Sequence, residues 1–225
     1  MDYIISTENI WKTYRSDIRV IHAINDVSIK IHRGKKTCIT GPSGSGKSTL
    51  LHLIGLLTYS TNGEIFLEGE PVQRMSDIFM TKLRREKFGF IFQSQYLLPH
   101  LNTLENARLP LLAQNISMEE ATNRTIDVLA QLEIDDRTDS KIQELSGGQA
   151  QRVNIARALV SKPEILIADE PSSSIDSRLT EEFLQIIDEY QSKWNLTVIF
   201  ASHDPIVIAE NNNEINLKDG KVVSN

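Results

Sequence analysis

Cysteine is almost absent from this chain. A single cysteine, Cys38, occurs among the 225 residues, so no disulfide can form within the chain and a reducing compartment is permitted. Because Cys38 lies in the apolar stretch of residues 36–40, we expect it to be a small buried hydrophobic side chain rather than a reactive thiol.

Long apolar runs are missing as well. No stretch approaches the ~18 apolar residues that a membrane-spanning helix needs. Residues 1–8 have neither the basic start nor the apolar centre of a signal peptide. We therefore expect any membrane role to be exercised through a partner.

Positive charges are outnumbered by negative ones. Lysine and arginine number 24 against 30 aspartates and glutamates, which gives a formal net charge of −6. Binding to a phosphate backbone needs clustered cations, and the basic segment at residues 82–87 is short and is interpreted as a solvated helix face. We expect no nucleic-acid partner. The length suits one large α/β domain, or a domain with a small subdomain.

A phosphate loop is the strongest positive signal. The pattern G-x-x-x-x-G-K-[ST] is met between a predicted strand at residues 36–40 and a predicted helix at residues 50–54. Its glycines let backbone N–H groups converge on an anion, and the following helix points its positive end at the same anion. We expect Lys47 to reach the β- and γ-phosphates of a nucleoside triphosphate and Ser48 to ligate Mg²⁺. The loop reads Gly41, Pro42, Ser43, Gly44, Ser45, Gly46, Lys47, Ser48, Thr49.

Two adjacent carboxylates form the second signal. Asp169 and Glu170 follow the apolar run of residues 165–168, which predicts a buried strand with both acids at its carboxyl end. We expect Asp169 to hold Mg²⁺, directly or through water, and Glu170 to orient and deprotonate the attacking water.

The remaining pattern predicts an α/β nucleotide-binding core interrupted by a helical insertion. Alternating apolar residues predict a half-buried strand at residues 27–32, and a capping-box start at Ser117 predicts a helix to about Leu132. Further strands are predicted at residues 64–67, 88–92, 164–168 and 196–200, helices at residues 76–87 and after Gly148, and a terminal hairpin at residues 218–221.

A third glycine-containing segment makes the interpretation specific. Residues 145–149 read Leu-Ser-Gly-Gly-Gln, letter for letter the signature motif of ATP-binding-cassette (ABC) proteins, and the chain resembles the ATP-binding subunit of an ABC transporter over essentially its whole length. Taken alone, Ser146 and Gln149 would also fit an ordinary helix capping box. The resemblance implies a head-to-tail dimer in which the phosphate loop of one copy and the signature of the other enclose each ATP. The signature residues expected to contact ATP are Ser146, Gly147, Gly148 and Gln149.

The resemblance also implies a fold, an activity and a domain plan. The expected fold is an α/β P-loop NTPase core, with a mostly parallel sheet and an N-terminal antiparallel β subdomain, joined to a helical subdomain of the ABC ATPase type. One ATP-binding domain would cover residues 1–225, with the core at about 1–92 and 161–225 and the helical subdomain at about 93–160. ATP and Mg²⁺ are the implied cofactors, and ATP hydrolysis is the implied reaction.

Four single residues are carried over from the family pattern. Gln93 matches the glutamine that senses Mg²⁺ and the γ-phosphate, and His203 matches the switch histidine that hydrogen-bonds the γ-phosphate. Tyr14 matches the aromatic residue that stacks on adenine, with Trp11 as a rival. Asp176 matches the aspartate that communicates across the dimer, although a plain helix N-cap is an alternative.

Residues 89–99 and 104–112 narrow the resemblance. They are similar to the bacterial subgroup of lipoprotein-releasing, macrolide-exporting and cell-division cassettes, which work with inner-membrane permeases. A permease helix would dock here, or the leucines of this region would instead pack the helical subdomain. Residues 171–176 read Pro-Ser-Ser-Ser-Ile-Asp where the subgroup usually has Pro-Thr-Gly-Asn-Leu-Asp, so a peptide or antimicrobial exporter is as well supported as lipoprotein release. The groove candidates are Leu97, Leu98, Leu109, Leu111 and Leu112.

Two functions remain open. The first is a transport ATPase, a homodimer on the cytoplasmic face of the inner membrane that drives a permease. The second is an actuator, in which the same ATPase drives a permease-like partner that moves no substrate but activates periplasmic enzymes. A repair-type cassette is disfavoured because the stretch between Thr49 and Leu145 is too short for a long coiled coil.

Overall fold

The computed structural model describes residues 2–15, 19–73, 75–173, 175–211 and 213–223. The strands are β1 (Tyr3–Arg15), β2 (Val20–Val27), β3 (Lys30–His32), β4 (Lys36–Thr40), β5 (Asn62–Leu67), β6 (Glu70–Pro71), β7 (Phe88–Ile91), β8 (Ile165–Asp169), β9 (Thr197–Ala201), β10 (Glu214–Lys218) and β11 (Lys221–Val222). The helices are α1 (Lys47–Ile54), α2 (Asp77–Lys87), α3 (Thr103–Leu112), α4 (Met118–Gln131), α5 (Gly147–Leu159), α6 (Ser177–Trp194) and α7 (Pro205–Ala209).

The strands form two sheets. The first is antiparallel, in the order β2-β1-β5-β6, with β3 also paired to β1. The second has the order β11-β10-β4-β9-β8-β7 and is parallel except for the terminal hairpin strand β11. Together with the helices these sheets confirm the predicted fold class, an α/β P-loop NTPase core with an antiparallel β subdomain and a helical part.

The parallel sheet separates two apolar cores. Successive residues of a strand point to opposite faces, and β8 shows this directly. Ile165 and Ile167 pack with α1, α2 and the antiparallel sheet, whereas Leu166 and Ala168 pack with α4, α5 and α6. Because β8 is buried on both faces, its sequence is a continuous apolar run rather than an alternating one.

The predicted strand at residues 27–32 is interrupted. The alternation of buried and exposed residues is as expected, but the strand breaks at residues 28–29 between β2 and β3. The side chain of Thr7 closes this gap, because its hydroxyl donates to the carbonyl of Val27 at 3.1 Å and accepts from the amide of Ile29 at 3.0 Å. These side-chain bonds add to the backbone bond in which the amide of Thr7 donates to the carbonyl of Ile29 at 2.9 Å.

The helices α3, α4 and α5 lie between β7 and β8, where the sequence predicted helical character. The predicted cap at Ser117 is present, since its hydroxyl accepts from the amide of Glu120 at 3.1 Å. The bounds of α3, which contains Pro110, and of the long α6 were not predicted from the sequence. Helix α3 begins at a capping box formed by Asn102 and Glu105.

Two sequence-based expectations concerned the single cysteine and the lack of long apolar runs. Cys38 is fully buried in β4, and burial raises the pKa of its thiol to about 12. Across the described ranges, no helix combines the length and apolar character needed to cross a bilayer.

Candidate functional site

The predicted site residues follow three neighbouring strands and lie at one edge of the parallel sheet. Strand β9 lies between β4 and β8, and Ala201 is in register with both Ile39 and Asp169. The pairing continues past the strands, because the amide of Glu170 donates to the carbonyl of Ala201 at 2.8 Å. The phosphate loop, the acid pair and His203 therefore leave the sheet side by side, at the edge where open α/β sheets bind ligands.

The phosphate loop depends on glycine for two different reasons. Gly41, Gly44 and Gly46 all have positive φ, at 139°, 80° and 106°. A Cβ at Gly41 would lie 2.1 Å from the carbonyl oxygen of Leu217, and one at Gly46 would lie 2.4 Å from that of Ala23, whereas one at Gly44 would meet nothing within 4 Å. Close packing on β10 and β2 requires the outer two glycines, and the backbone conformation alone favours the middle one.

Lys47 lies inside this loop with its ammonium group among oxygen atoms. Its Nζ donates to the carbonyls of Gly41 at 3.0 Å and Pro42 at 3.3 Å, and lies 3.7 Å from Oε1 of Glu170. The side chain is buried, so water does little to solvate the charge. A phosphate would offer this cation a full negative charge in place of neutral carbonyls, so the loop fits the group predicted for it.

Ser48 and Asp169 form a pair of hard oxygen donors. The Ser48 hydroxyl donates to Oδ1 of Asp169 at 3.0 Å, and His52 Nε2 lies 3.9 Å from Oδ2. Burial raises the pKa of Asp169, while the Ser48 hydrogen bond acts in the opposite direction. Oxygen donors are those that Mg²⁺ prefers, and Mg²⁺ is commonly held by one or two protein ligands with water and phosphate completing the shell. The predicted pair therefore fits this ion.

Glu170 and His203 form a second pair beside the loop. His203 Nδ1 lies 2.9 Å from both carboxylate oxygens of Glu170. The Glu170 side chain is largely buried and that of His203 is exposed. Glu170 has a φ of 47°, in the left-handed region that a glutamate rarely adopts. The surrounding structure thus holds the backbone of Glu170 in this conformation, and His203 contacts both of its carboxylate oxygens.

One cavity of about 750 Å³ brings these groups together, and we call it the nucleotide cavity. The register of β7 on β8 aligns Ile91 with Ala168, so Gln93 follows β7 as Glu170 follows β8. The lining includes the predicted residues Pro42, Ser43, Gly44, Gly46, Lys47, Ser48, Thr49, Gln93, Glu170 and His203. Of the remaining predicted residues, Gly41 and Ser45 belong to the same loop, and Asp169 is bonded to Ser48.

A second wall of this cavity was not predicted from the sequence. It consists of Ile21, His22 and Ala23 of β2 and the hairpin turn Asp219–Gly220 between β10 and β11. The turn is tied to the phosphate loop, because the amide of Gly220 donates to the carbonyl of Ser45 at 3.0 Å. The hairpin was predicted from its turn residues, but no local signal indicated that it would reach the loop.

Tyr14 does not line the nucleotide cavity. It is 47% exposed, pairs with Ile21 across β1 and β2, and has Lys12 Nζ 5.2 Å from its ring centroid. Trp11 packs edge-on against His22, with ring centroids 6.0 Å apart. Ile21 and His22 line the cavity, so both predicted aromatic candidates border on it without reaching it.

The signature segment lies outside the nucleotide cavity and starts α5. The Ser146 hydroxyl accepts from the amide of Gln149 at 3.3 Å, and Oε1 of Gln149 accepts from the amide of Ser146 at 2.9 Å, so the capping box is present. A Cβ at Gly147 would meet nothing within 4 Å, whereas one at Gly148 would lie 3.0 Å from Cδ2 of Leu179. Gly148 is therefore a packing glycine, and Gly147 faces open space.

Asp176 also acts as a helix cap. Its Oδ1 accepts from the amide of Leu179 at 3.0 Å at the start of α6. The predicted alternative, an N-cap, is therefore what the structure contains. Ser174, within the segment that departs from the subgroup pattern, lies outside the described residues.

Comparison with known proteins gives the same family throughout. The ABC transporter family profile matches residues 24–173. An uncharacterized ABC transporter ATP-binding protein of Methanocaldococcus jannaschii, MJ0796, is 40% identical over 223 residues, which is 97% of this chain and 95% of that protein. The macrolide export ATP-binding/permease protein MacB of Salmonella typhimurium is 37% identical over 225 residues. That match covers all of this chain but 35% of the length of MacB.

Solved structures agree with the sequence relatives. The MJ0796 cassette, described as dimeric, matches with a TM-score of 0.90 and 38% identity over 98% of this chain and 97% of the solved one. A second MJ0796 structure, described as a dimeric post-hydrolysis state bound to ADP and Pi, matches equally well. The predicted subgroup and the predicted enzyme class, an ATPase, are confirmed. The chain belongs to the ABC transporter family, as one of its ATP-binding cassettes.

Proposed function

We propose that this chain is a single ATP-binding domain that binds Mg-ATP in the nucleotide cavity and hydrolyses it as half of a head-to-tail dimer, and that the dimer drives an inner-membrane permease. One observation carries the proposal. Lys47, Gln93, Glu170 and His203 line one cavity, while the signature start of α5 lies outside it with Gly147 facing open space. A second copy can bring that helix start to the cavity, where its positive end favours an anion.

Each side chain of the cavity has a distinct part in hydrolysis. Lys47 exchanges its carbonyl partners for the β- and γ-phosphate oxygens. The Ser48 hydroxyl and the Asp169 carboxylate, 3.0 Å apart, would hold Mg²⁺, and the ion would supply positive charge against the phosphates. Gln93, which follows β7 and lines the cavity, would contact the same ion and the γ-phosphate.

Glu170 acts as the general base. Its carboxylate takes a proton from the attacking water, while the bond from its amide to Ala201 and the contact with His203 fix its orientation. His203 is exposed enough to turn toward the γ-phosphate when ATP is bound. The protein thus supplies position and charge, which are the main requirements of phosphoryl transfer.

The dimer supplies the remaining contacts. The MJ0796 relative has been solved as a dimer, which supports the same arrangement here. In it, Ser146 to Gln149 contact the partner's ATP, Asp176 contacts the partner chain, and Tyr14 stacks on adenine at the rim of the cavity. The exposed position of Tyr14 leaves its ring accessible to a base.

A second, apolar groove of about 600 Å³ is where we place the permease contact, and we call it the docking groove. It is lined by apolar residues with cations around them, which suits an apolar segment carrying acidic side chains. The five leucines predicted for this role do not line it; Leu111 is buried in the core, and Leu97 packs against the core. The groove includes Leu57, Phe88, Phe90, Phe92, Tyr96, Pro110, Arg84, Arg85 and Arg157.

The MacB relatives are named as combined ATP-binding and permease proteins, which supports a permease partner for this chain. We accordingly place the protein on the cytoplasmic face of the inner membrane. Export of a peptide, a lipoprotein, an antimicrobial or another hydrophobic substrate is the transport reaction we propose.

Replacing the proposed base tests the hydrolysis step. Glu170→Gln should lower ATP turnover by about 10²–10⁴-fold, because the amide cannot accept the proton. ATP binding should persist and the dimer should accumulate, which phosphate release and size-exclusion chromatography with Mg-ATP would measure. Glu189→Gln, at an exposed position, is the control and should behave as wild type. Turnover at the control rate in Glu170→Gln would remove Glu170 from this role.

Mixing two inactive variants tests whether sites are shared between chains. Lys47→Ala removes the phosphate cation and Ser146→Arg blocks the signature start, so each homodimer should be inactive. A mixed dimer has one site with both defects and one with neither, so the mixture should regain ATPase activity. A mixture as inactive as its components would contradict the head-to-tail arrangement.

The docking groove can be tested with two residues of equal exposure. Leu57 in the groove and Ile126 on α4 are both 40% exposed. Leu57→Glu should abolish co-purification of a permease from solubilised membranes of the native host, because a carboxylate in the groove disfavours an apolar segment. Ile126→Glu should retain it. Equal recovery with both variants, measured by mass spectrometry, would place the contact elsewhere.

The ionised side chain of Asp169, the proposed Mg²⁺ ligand, should lower the free energy of unfolding when the ion is absent. Because burial raises the pKa of Asp169 above its ordinary 3.8, the folded state binds the proton more tightly than the unfolded state. Ionisation of Asp169 therefore lowers the free energy of unfolding as the pH rises through its folded-state pKa. Below about 3.8, where the carboxyl is protonated in both states, it has no such effect. Asp169→Asn should melt higher than wild type near pH 7 without Mg-ATP, should lose that advantage at acid pH, and should not hydrolyse ATP. A lower melting temperature at pH 7 would contradict this.

A further inference from the structure

Gln151 connects two loops of the site that are distant in sequence. It lies on α5, two residues after the signature, and is 5% exposed. Its Nε2 donates to the carbonyl of Pro171 at 3.3 Å, directly after Glu170. Its Oε1 accepts from Nε2 of Gln95 at 3.0 Å, two residues after Gln93. One buried carboxamide thus uses its donor and its acceptor on two different loops.

Both loops contain a residue in strained backbone conformation. Glu170 has a φ of 47° and Tyr96 a φ of 48°, and neither residue type adopts that region readily. Such conformations persist where surrounding contacts determine them. Side chains of α5 supply such contacts at both loops, Gln151 at the carbonyl of Pro171 and Arg157 at the carbonyl of Tyr96, in addition to the bond from the Glu170 amide to Ala201.

A second side chain of α5, that of Arg157, holds the loop after Gln93. Arg157 donates through Nη1 to the carbonyl of Tyr96 at 2.8 Å and through Nη2 to that of Gln95. Asn154, fully buried one turn earlier, accepts from the same guanidinium at 3.0 Å. Arg157 therefore holds the loop after Gln93 without contacting the turn after Glu170, whereas Gln151 is hydrogen-bonded to both.

We propose that Gln151 is a positioning residue for hydrolysis, because its carboxamide holds the turn after Glu170 to the loop after Gln93 and so makes both follow the signature helix. This inference rests on the proposed function. In a head-to-tail dimer, α5 of one chain contacts the ATP held by the other, so closure at one site would set the carboxylate at the other. Gln151 does not line the nucleotide cavity, so it acts through Glu170 and Gln93.

The test compares variants that remove one or both contacts. Gln151→Leu removes both, Gln151→Glu keeps an acceptor for Gln95 but loses the donor to Pro171, and Gln95→Leu removes the Gln95 contact alone. Gln191→Leu is the matched control, because Gln191 donates to the carbonyl of Gly34 at 2.7 Å on a different part of the fold. Purified full-length variants are compared for kcat and KM with ATP, affinity for a fluorescent ATP analogue, and melting temperature.

The expected signature is a change in kcat without a change in nucleotide affinity. Gln151→Leu and Gln151→Glu should lower kcat roughly ten- to a hundredfold, since a small misplacement of a catalytic group costs that much. KM and analogue affinity should stay near wild type, because the phosphate loop is untouched. Gln191→Leu should lower the melting temperature and leave kcat unchanged.

Coupling between the two glutamines gives a second readout. Gln95→Leu should lower kcat less than Gln151→Leu, and the double variant should be no slower than Gln151→Leu alone, because both act through one connection. A normal kcat in Gln151→Glu, or effects of the two glutamines that multiply independently, would overturn the proposal. If Gln151→Leu fails to fold, Gln151→Glu and Gln95→Leu decide the matter.

Failure of the proposed function would look different. A wild-type protein that does not hydrolyse ATP, or a Glu170→Gln variant that does, would refute the function itself. Hydrolysis that depends on Glu170 but is indifferent to Gln151 would refute only the connection.

Discussion

The parallel hydrogen bonding of β4, β9 and β8 is the constraint on which the rest of the site depends. It places Ile39, Ala201 and Asp169 in one register, so the phosphate loop, His203 and Glu170 leave the sheet at the same level. Strand β7 extends this register to the segment that carries Gln93. Because each of these strands is buried on both faces, the register is fixed by packing and cannot slip without exposing a core.

Strain at the site is matched by support from distant elements. The phosphate loop needs positive φ at its glycines, and it is braced by backbone atoms of β2 and β10. Glu170 and Tyr96 adopt the left-handed region without being glycine, and side chains of α5 hold the backbone beside both. A site with preset geometry can act on charge without first reorganising, which is how phosphoryl transfer is accelerated.

Helix α5 contacts both helix α6 and the loop after Gln93. Its first turn carries the signature and packs Gly148 against Leu179 of α6, while its later turns contact the loop after Gln93. Through Gln151 and Arg157, α5 is hydrogen-bonded to the turn after Glu170, the proposed base, and to the loop after Gln93. The docking groove lies against the same loop and includes Arg157, so the proposed permease contact and the proposed hydrolytic groups share one support.

The sequence by itself determined what depends on short stretches of chain: the phosphate loop, the acid pair, the signature cap, the buried Cys38 and most strands, because local backbone geometry and burial leave a readable pattern. Only the tertiary structure decided what depends on distant contacts. It showed that Ile21, His22 and the Asp219–Gly220 turn form a wall of the nucleotide cavity, while Tyr14 borders on it and Leu111 is in the core. The break at residues 28–29 is bridged by Thr7, which is some twenty residues away. Such contacts join residues far apart in the chain, and a single sequence carries no local periodicity that records them.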